Sequence, residues 1–377
     1  MSSLTPFFLW WRTTVARDRE IVDAVVDPAH VGPSADLQAA LDDWPGTYYW
    51  AESDGPGRLV LTRALAPQPG ERWWLHGVLF GVTFLTVWMG GALLAGSSLP
   101  WAFPFTRELT LVPQLMLELV AELFTVRAGL DFAVALMAIL LCHEMGHYIM
   151  AKRYGIDASP PYFLPSPPIL NFIGTFGAFI RLRSPIVDRQ QLMDVGAAGP
   201  WAGFVVALIA LLVGLAHSEV VADVGPSAQL ITVAHMHLYL GDSAVTYALR
   251  HLLIGDGTVL LHPLAFAGWI GIFVTMLNLL PLGQLDGGHI LYALVGKHQA
   301  KVGLAVWIAL IGLGFLQGQW WWWLWAFLIL ILGRGSLAHP QVLDSYRPLT
   351  ANRRPIGWLT LVLLLVTFSP VPVHYQF

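Results

Sequence analysis

Apolar residues run along this chain in long unbroken blocks rather than alternating with polar ones. Blocks at about 76–98, 129–151, 196–217 and 263–282 each approach the ~20 residues that a helix needs to cross a hydrocarbon core. Between Lys301 and Arg334 lie 32 uncharged residues, which as one helix would run ~48 Å against a core of ~30 Å. A helical hairpin turning at Gln317-Gly318-Gln319 fits that length better, and a last block at about 356–371 brings the predicted spans to seven. The first 72 residues read differently. Residues 6–11 form an apolar patch too short for a signal-peptide core, followed by Arg12, Arg17 and Arg19. Farther on, Tyr48-Tyr49-Trp50, Ser53-Asp54-Gly55-Pro56-Gly57 and Leu59-Val60-Leu61 read as strand, turn, strand.

The expected fold is an all-α polytopic membrane protein with a small α+β cytosolic domain over 1–72. The first transmembrane helix and an outer loop follow over 73–127, then a membrane core over 128–295 and C-terminal helices over 296–377. Within the core, residues 158–180 carry no charge, yet Pro160, Pro161, Pro165, Pro167 and Pro168 make a spanning helix implausible. The loop 158–192 therefore reads as a re-entrant segment, and the alternation over 176–183 suggests a strand.

Composition fixes the class: 56% of the residues are hydrophobic and 12% charged, against roughly 25% charged in an ordinary soluble domain. The net charge of −4 predicts no nucleic-acid partner. A single cysteine, Cys142, excludes an intramolecular disulfide and multi-cysteine metal sites. Any metal must be held by His and carboxylate. Placing the N-terminus in the cytoplasm puts seventeen of the twenty Lys and Arg residues inside, leaving only Arg107, Arg127 and Arg250 outside. Treating 302–333 as one helix would expel the basic loop that holds Arg334, Arg347, Arg353 and Arg354. The expectation is a multi-pass protein of a prokaryotic cytoplasmic membrane, with Trp320 to Trp323 at the outer interface and Trp73, Trp74 and Trp358 at the inner one.

The chemistry begins in the second span, which ends Leu141-Cys142-His143-Glu144-Met145-Gly146-His147. Histidines four apart share a helix face, so both imidazoles can reach one zinc ion while Glu144 acts on a metal-bound water. Three ionisable groups inside an apolar helix cost at least a few kcal/mol each unless they have partners or a task. An open zinc site wants a third protein ligand. The best candidate is Asp286, read as lying where the fourth span ends on the same side of the membrane; a helix-end carboxylate in contact with water is the neutral account. Gly199 and Gly203 form a small-xxx-small pair that permits close helix packing.

HEMGH at 143–147, GPWAG at 199–203 and NLLPLGQLDGG at 278–288 resemble the three signature segments of the site-2 protease family of intramembrane zinc metalloproteases. Residues 174–185, GTFGAFIRLRSP, are similar to its plant and bacterial branch lacking a PDZ domain. The resemblance runs from about 128 to 295. It implies one Zn2+ per chain held by His143, His147 and Asp286, with Glu144 taking a proton from zinc-bound water and passing it to the leaving amine. It further implies that Asn278 holds the substrate or the polarised carbonyl; an interhelical hydrogen bond is the other account of that residue. The family has a membrane-re-entrant β-hairpin here, whose edge at Gly174, Thr175, Phe176 and Gly177 could bind an unwound substrate, or simply pack. The partners implied are transmembrane proteins or peptides and the lipid bilayer, with oligomeric state left open. The competing class is a catalytically inactive zinc-binding membrane chaperone, against which an intact Glu144 argues.

Overall fold

The computed structural model of the chain describes residues 3–16, 19–30, 34–51, 57–64, 70–95, 129–168, 170–184, 186–221, 228–233, 236–340, 342 and 348–374. The expected turn at Ser53 to Gly57 lies almost entirely outside these residues; so do most of the first outer loop with Arg107 and Arg127, as well as His235 and Arg347. The chain divides into two compact units, Met1–Arg72 with Ala151–Ser159 and Arg181–Ile186, and Trp73–Met150 with Pro160–Ile180 and Val187–Phe377.

In the first unit β1 (Phe8–Ala16), β2 (Arg19–Val26), β3 (Thr47–Ala51) and β4 (Arg58–Ala64) form an antiparallel sheet in the order β1-β2-β4-β3. The hairpin read from the sequence is present in the register Tyr48 to Leu61, Tyr49 to Val60 and Trp50 to Leu59. The N-terminal apolar patch, which the sequence left without structure, feeds β1. Helix α1 (Ala35–Asp42) lays Leu37 and Leu41 against Val22, Val26, Leu59 and Leu61. Also in this unit, Ser159 and Arg181 exchange two hydrogen bonds of 2.9 Å, and Arg183 pairs with Glu71 and Asp157.

The second unit is mainly helical: α2 (Trp73–Leu94), α3 (Leu130–Arg153), α4 (Arg189–Leu215), α5 (Ala244–Leu253), α6 (Pro263–Leu279), α7 (Asp286–Val295), α8 (Gln299–Gln317), α9 (Trp320–Leu332) and α10 (Arg354–Thr367). Four helical stretches are long and apolar enough to cross a membrane, namely α2, α3, α4 and the continuous run Asp286–Gln317. Seven crossings are therefore not established by length. Helices α6, α9 and α10 are apolar but have 17, 13 and 14 residues, about 20–25 Å each against a ~30 Å core. The uncharged stretch 302–333 does turn where its length required. Gly318, left-handed at φ 62°, caps α8, and α9 packs back on it through Trp307 Nε1–H to Ala326 O at 2.9 Å.

Several expectations need correction. The fold is not all-α. A five-stranded sheet in the order β11-β9-β8-β10-β7 is built from β7 (Glu219–Val221), β8 (Gln229–Val233), β9 (Met236–Leu240), β10 (Thr258–Leu260) and β11 (Val373–His374). Four of these strands lie between the predicted spans at 196–217 and 263–282, and the fifth comes from near the C-terminal end of the described residues. Each has at most five residues, and β10 pairs in parallel with β8, so no local hairpin signal marks the sheet. Helix α4 begins at Arg189, seven residues before the expected span, because the Asp188 side chain accepts from Gln191 N–H and caps it. Helix α6 stops at Leu279, so Asp286 does not end the fourth span but opens α7. Of the expected aromatic belt, Trp322 is fully buried, with its indole N–H on Pro370 O at 2.8 Å.

In the Pro-rich loop, β5 (Tyr162–Pro165) and β6 (Thr175–Phe179) pair antiparallel, with Tyr162 opposite Phe179 and Leu164 opposite Gly177. The core of this unit lies between α3, α4 and α6, where Phe132, Leu136 and Ile139 meet Ala207, Leu211, Phe266 and Ile270. At the edge of the five-stranded sheet a fully buried Arg250 pairs with Asp242 at 2.9 Å. Asp242 also accepts from Thr246 and Gln229. Asp242→Ala leaves that guanidinium buried without its carboxylate and is expected to destabilise the chain by about 3–5 kcal/mol, seen as a lowered thermal unfolding midpoint in detergent.

Candidate metal centre

Helix α3 carries His143 and His147 one turn apart on one face, both buried, with their ring centroids 4.9 Å apart. A third group reaches them from a distant part of the chain. Pro281 cannot continue α6 because it lacks an N–H, and the chain turns through Gly283, which is left-handed at φ 50°. Helix α7 then starts at Asp286, so its carboxylate sits at the helix's first residue. Asp286 Oδ2 lies 3.4 Å from Nε2 of His143 and 3.4 Å from Nε2 of His147, and the two nitrogens are 3.2 Å apart.

This triangle tests whether a metal fits. Two ligands ~2.05 Å from a tetrahedral zinc ion stand about 3.3 Å apart, and all three observed edges lie within about 0.1 Å of that figure. The donor types, two imidazole nitrogens and one carboxylate oxygen, are those of an open zinc site. Among the described residues these three form the one His/Cys/Asp/Glu group that converges in this way. The tautomer of His147 agrees. Its Nδ1 lies 2.7 Å from Val195 O, and a carbonyl only accepts, so the proton is on Nδ1 and the Nε2 lone pair is free to face the centre.

Helix α4 makes room for the two rings. Gly199 abuts the His147 imidazole so closely that a methyl group there would overlap the ring; a methyl at Gly203 would stand 3.0 Å from His143 Cβ. The GPWAG glycines, read from sequence as helix-packing positions, therefore make room for the two histidine side chains directly. Their spacing of four repeats the spacing of the histidines, which is the signal that could have given this away. Gly146, between the two histidines, lets the backbones of α3 and α4 approach.

Glu144 is also buried, and its carboxylate accepts a hydrogen bond from the backbone N–H of Ile180, at the end of β6. Sequence reasoning did not find that link. Asn278, on the last turn of α6, places Nδ2 3.2 Å from His143 Nε2. The helix breaks after Leu279, and the turn that follows brings Asp286 to the same His143 nitrogen.

The hairpin residues divide. The Gly174 carbonyl accepts from Thr86 on α2 at 2.7 Å, and buried Thr175 donates to Leu164 O at 2.8 Å, closing the hairpin on itself. Phe176 is 63% exposed, and Gly177 has open space where a side chain would stand.

Comparison with known proteins adds to this geometry. Residues 131–316, just under half of the chain, match the family described as Peptidase family M50. The chain is 34% identical over 220 residues to a protein of Arabidopsis thaliana named "Probable zinc metalloprotease EGY2, chloroplastic"; the match covers 56% of this chain and 37% of that one. It is 34% identical over 201 residues to the Arabidopsis thaliana "Probable zinc metalloprotease EGY1, chloroplastic", covering 51% and 34%. A rice protein with the EGY1 name is 34% identical over 195 residues, covering 51% and 33%. The chain thus spans little more than a third of the length of these relatives. Their names are chloroplastic, so they lend no support to the expected prokaryotic cytoplasmic membrane. No solved structure matches the chain.

Gly199→Ala is expected to displace His147 and weaken zinc binding by more than about tenfold, whereas Gly203→Ala, with 3.0 Å available, weakens it less. Competition against a chromophoric chelator measures both.

Proposed function

We propose, for a chain that belongs to peptidase family M50 through residues 131–316, that it is a membrane-embedded zinc endopeptidase cleaving other proteins within or near their transmembrane segments. The observation that carries this reading is the triangle of His143, His147 and Asp286 with edges of 3.2–3.4 Å beside a buried Glu144. His143, His147 and Asp286 hold one zinc ion. When bound, zinc supplies Lewis acidity, making a water nucleophilic near neutral pH and polarising a carbonyl.

The other parts of the reaction fall to the chain. Glu144 accepts a proton from the attacking water and delivers it to the leaving amine. Asn278, within 3.2 Å of a ligand nitrogen, holds the carbonyl oxygen as charge develops on it. A helical peptide bond hides its carbonyl, so the substrate must first be extended. Among the described residues β6 has one strand neighbour, β5, and its other edge accepts the extended substrate by strand addition. Phe176 and Gly177 lie on the outward part of that strand, so they contact substrate more directly than Gly174 and Thr175. The Ile180 N–H on Glu144 couples the end of this strand to the proton carrier.

The shorter helices α6, α9 and α10 cross the membrane as well, giving seven crossings with the β5-β6 hairpin entering from one side. The basic loops between the crossings mark the cytosolic side. Transmembrane proteins or peptides are the substrates.

Purified wild-type chain and Glu144→Gln are compared for bound zinc and for cleavage of model transmembrane peptides. Glu144→Gln is expected to keep its zinc and lose roughly 10²–10⁴-fold in rate, while Asp286→Ala loses the zinc. Equal cleavage by wild type and Glu144→Gln contradicts the proposal.

A further inference from the structure

The break between α6 and α7 that presents Asp286 is a six-residue turn, 280–285, within apolar surroundings. Away from water every backbone N–H and C=O needs a protein partner. Part of the turn satisfies itself: Leu280 O accepts from Leu282 N–H at 2.7 Å and Leu282 O from Leu285 N–H at 3.0 Å. Two of its groups are satisfied from elsewhere. Pro281 O accepts from the Gln299 side chain at 3.1 Å, and Gly283 N–H donates to Leu337 O at 3.0 Å.

Gln299, at the start of α8, is 1% exposed and ties these groups together. Its Nε2 donates to both Pro281 O and Leu337 O, at 3.1 and 3.2 Å, and its Oε1 accepts from His339 N–H at 2.9 Å. The side chain is thus wholly committed to two backbone segments far apart in sequence. The second segment is held to α7 as well. His339 stacks on Tyr292 at 4.6 Å, and its Nε2 meets His289 Nδ1 at 2.7 Å. The His339 Nδ1 faces the Pro340 carbonyl, which can only accept, so His289 Nδ1 is the donor of that bond. His289 lies three residues after Asp286, on the first turn of the same helix. Gly303, one turn into α8, lets Pro281 O and Leu337 O come within 3.2 Å of where a side chain would begin.

We propose that residues 336–340 are a strap, locked by Gln299 and His339, that fixes the turn 280–285 and so aims Asp286 at the two histidines; Gln299 and His339 are positioning residues for the third metal ligand. Asp286 Oδ2 sits at 3.4 Å from both Nε2 atoms, a placement that a displacement of about 1 Å destroys. Losing the Gln299 amide strands the buried Pro281 carbonyl and takes one of two donors from Leu337 O, and the turn repacks to satisfy them. This inference rests on the metal reading above and adds to it a cause for the ligand's placement outside the signature segments.

The test uses the full chain in detergent and zinc alone as the probe. Zinc dissociation constants are measured by chelator competition for wild type, Gln299→Leu, His339→Ala and, as a control at the exposed far end of α8, Gln317→Leu. The expected result is a Kd weakened about 10–100-fold in Gln299→Leu, a smaller weakening in His339→Ala, and wild-type affinity in Gln317→Leu. Thermal unfolding of the zinc-free forms is followed in parallel, since a purely structural role lowers that midpoint and leaves Kd unchanged. If Gln299→Leu does not fold, His339→Ala decides. Wild-type affinity in the folded strap variants overturns the strap; a wild-type chain that binds no zinc overturns the metal reading and the strap with it.

Discussion

The arrangement depends on one constraint: inside an apolar helix bundle, ionisable and polar groups have one another for partners and little else. His143, Glu144 and His147 on α3 would each be a liability alone. Asp286 from α7, the Val195 carbonyl from α4 and the Ile180 N–H from the hairpin supply their partners. The elements that deliver those partners are thereby fixed in number and place. Helix α4 must pass close to α3, and it does so where Gly199 and Gly203 leave room for two imidazole rings. Helix α6 must end early enough for an irregular turn to bring a carboxylate inward.

That turn is where the fold departs furthest from simple helix packing. A carboxylate at the first residue of α7 is favourable to the helix dipole, but it requires six residues of non-helical backbone beside it. Pro281 and Gly283 make the turn possible, and Gln299 with Leu337 leaves its backbone satisfied. The placement of Asp286 is in this sense a property of the C-terminal half of the chain as much as of its own signature segment.

What could be read from the residues follows the range of the interactions. The pairing of His143 with His147 was legible because i and i+4 on a helix is a local relation, and the convergence of Asp286 on them because its segment was expected where the fourth span ends. The helical hairpin at Gly318 was legible from length and charge. The five-stranded sheet was not: Gln229–Val233 pairs in parallel with Thr258–Leu260, and Val373–His374 joins from the far end of the chain. Such short strands carry too little periodicity to be recognised without their partners. The end of α6 was misplaced although Pro281 marked it, because apolar continuity through Leu282 outweighed one missing N–H. Trp322 was assigned to an interface from its neighbours' chemistry, yet Phe368 and Pro370 bury it.

The central claim is that two imidazoles and one carboxylate hold a single zinc ion, with the lone cysteine beside the first histidine taking no part. Zinc K-edge X-ray absorption on the purified, zinc-loaded chain tests it most directly. The account predicts one zinc per chain with nitrogen and oxygen scatterers at about 2.0–2.2 Å, an imidazole outer-shell pattern, and no sulfur. A zinc–sulfur shell at about 2.3 Å, bringing in Cys142, or a spectrum without imidazole scattering, would contradict it.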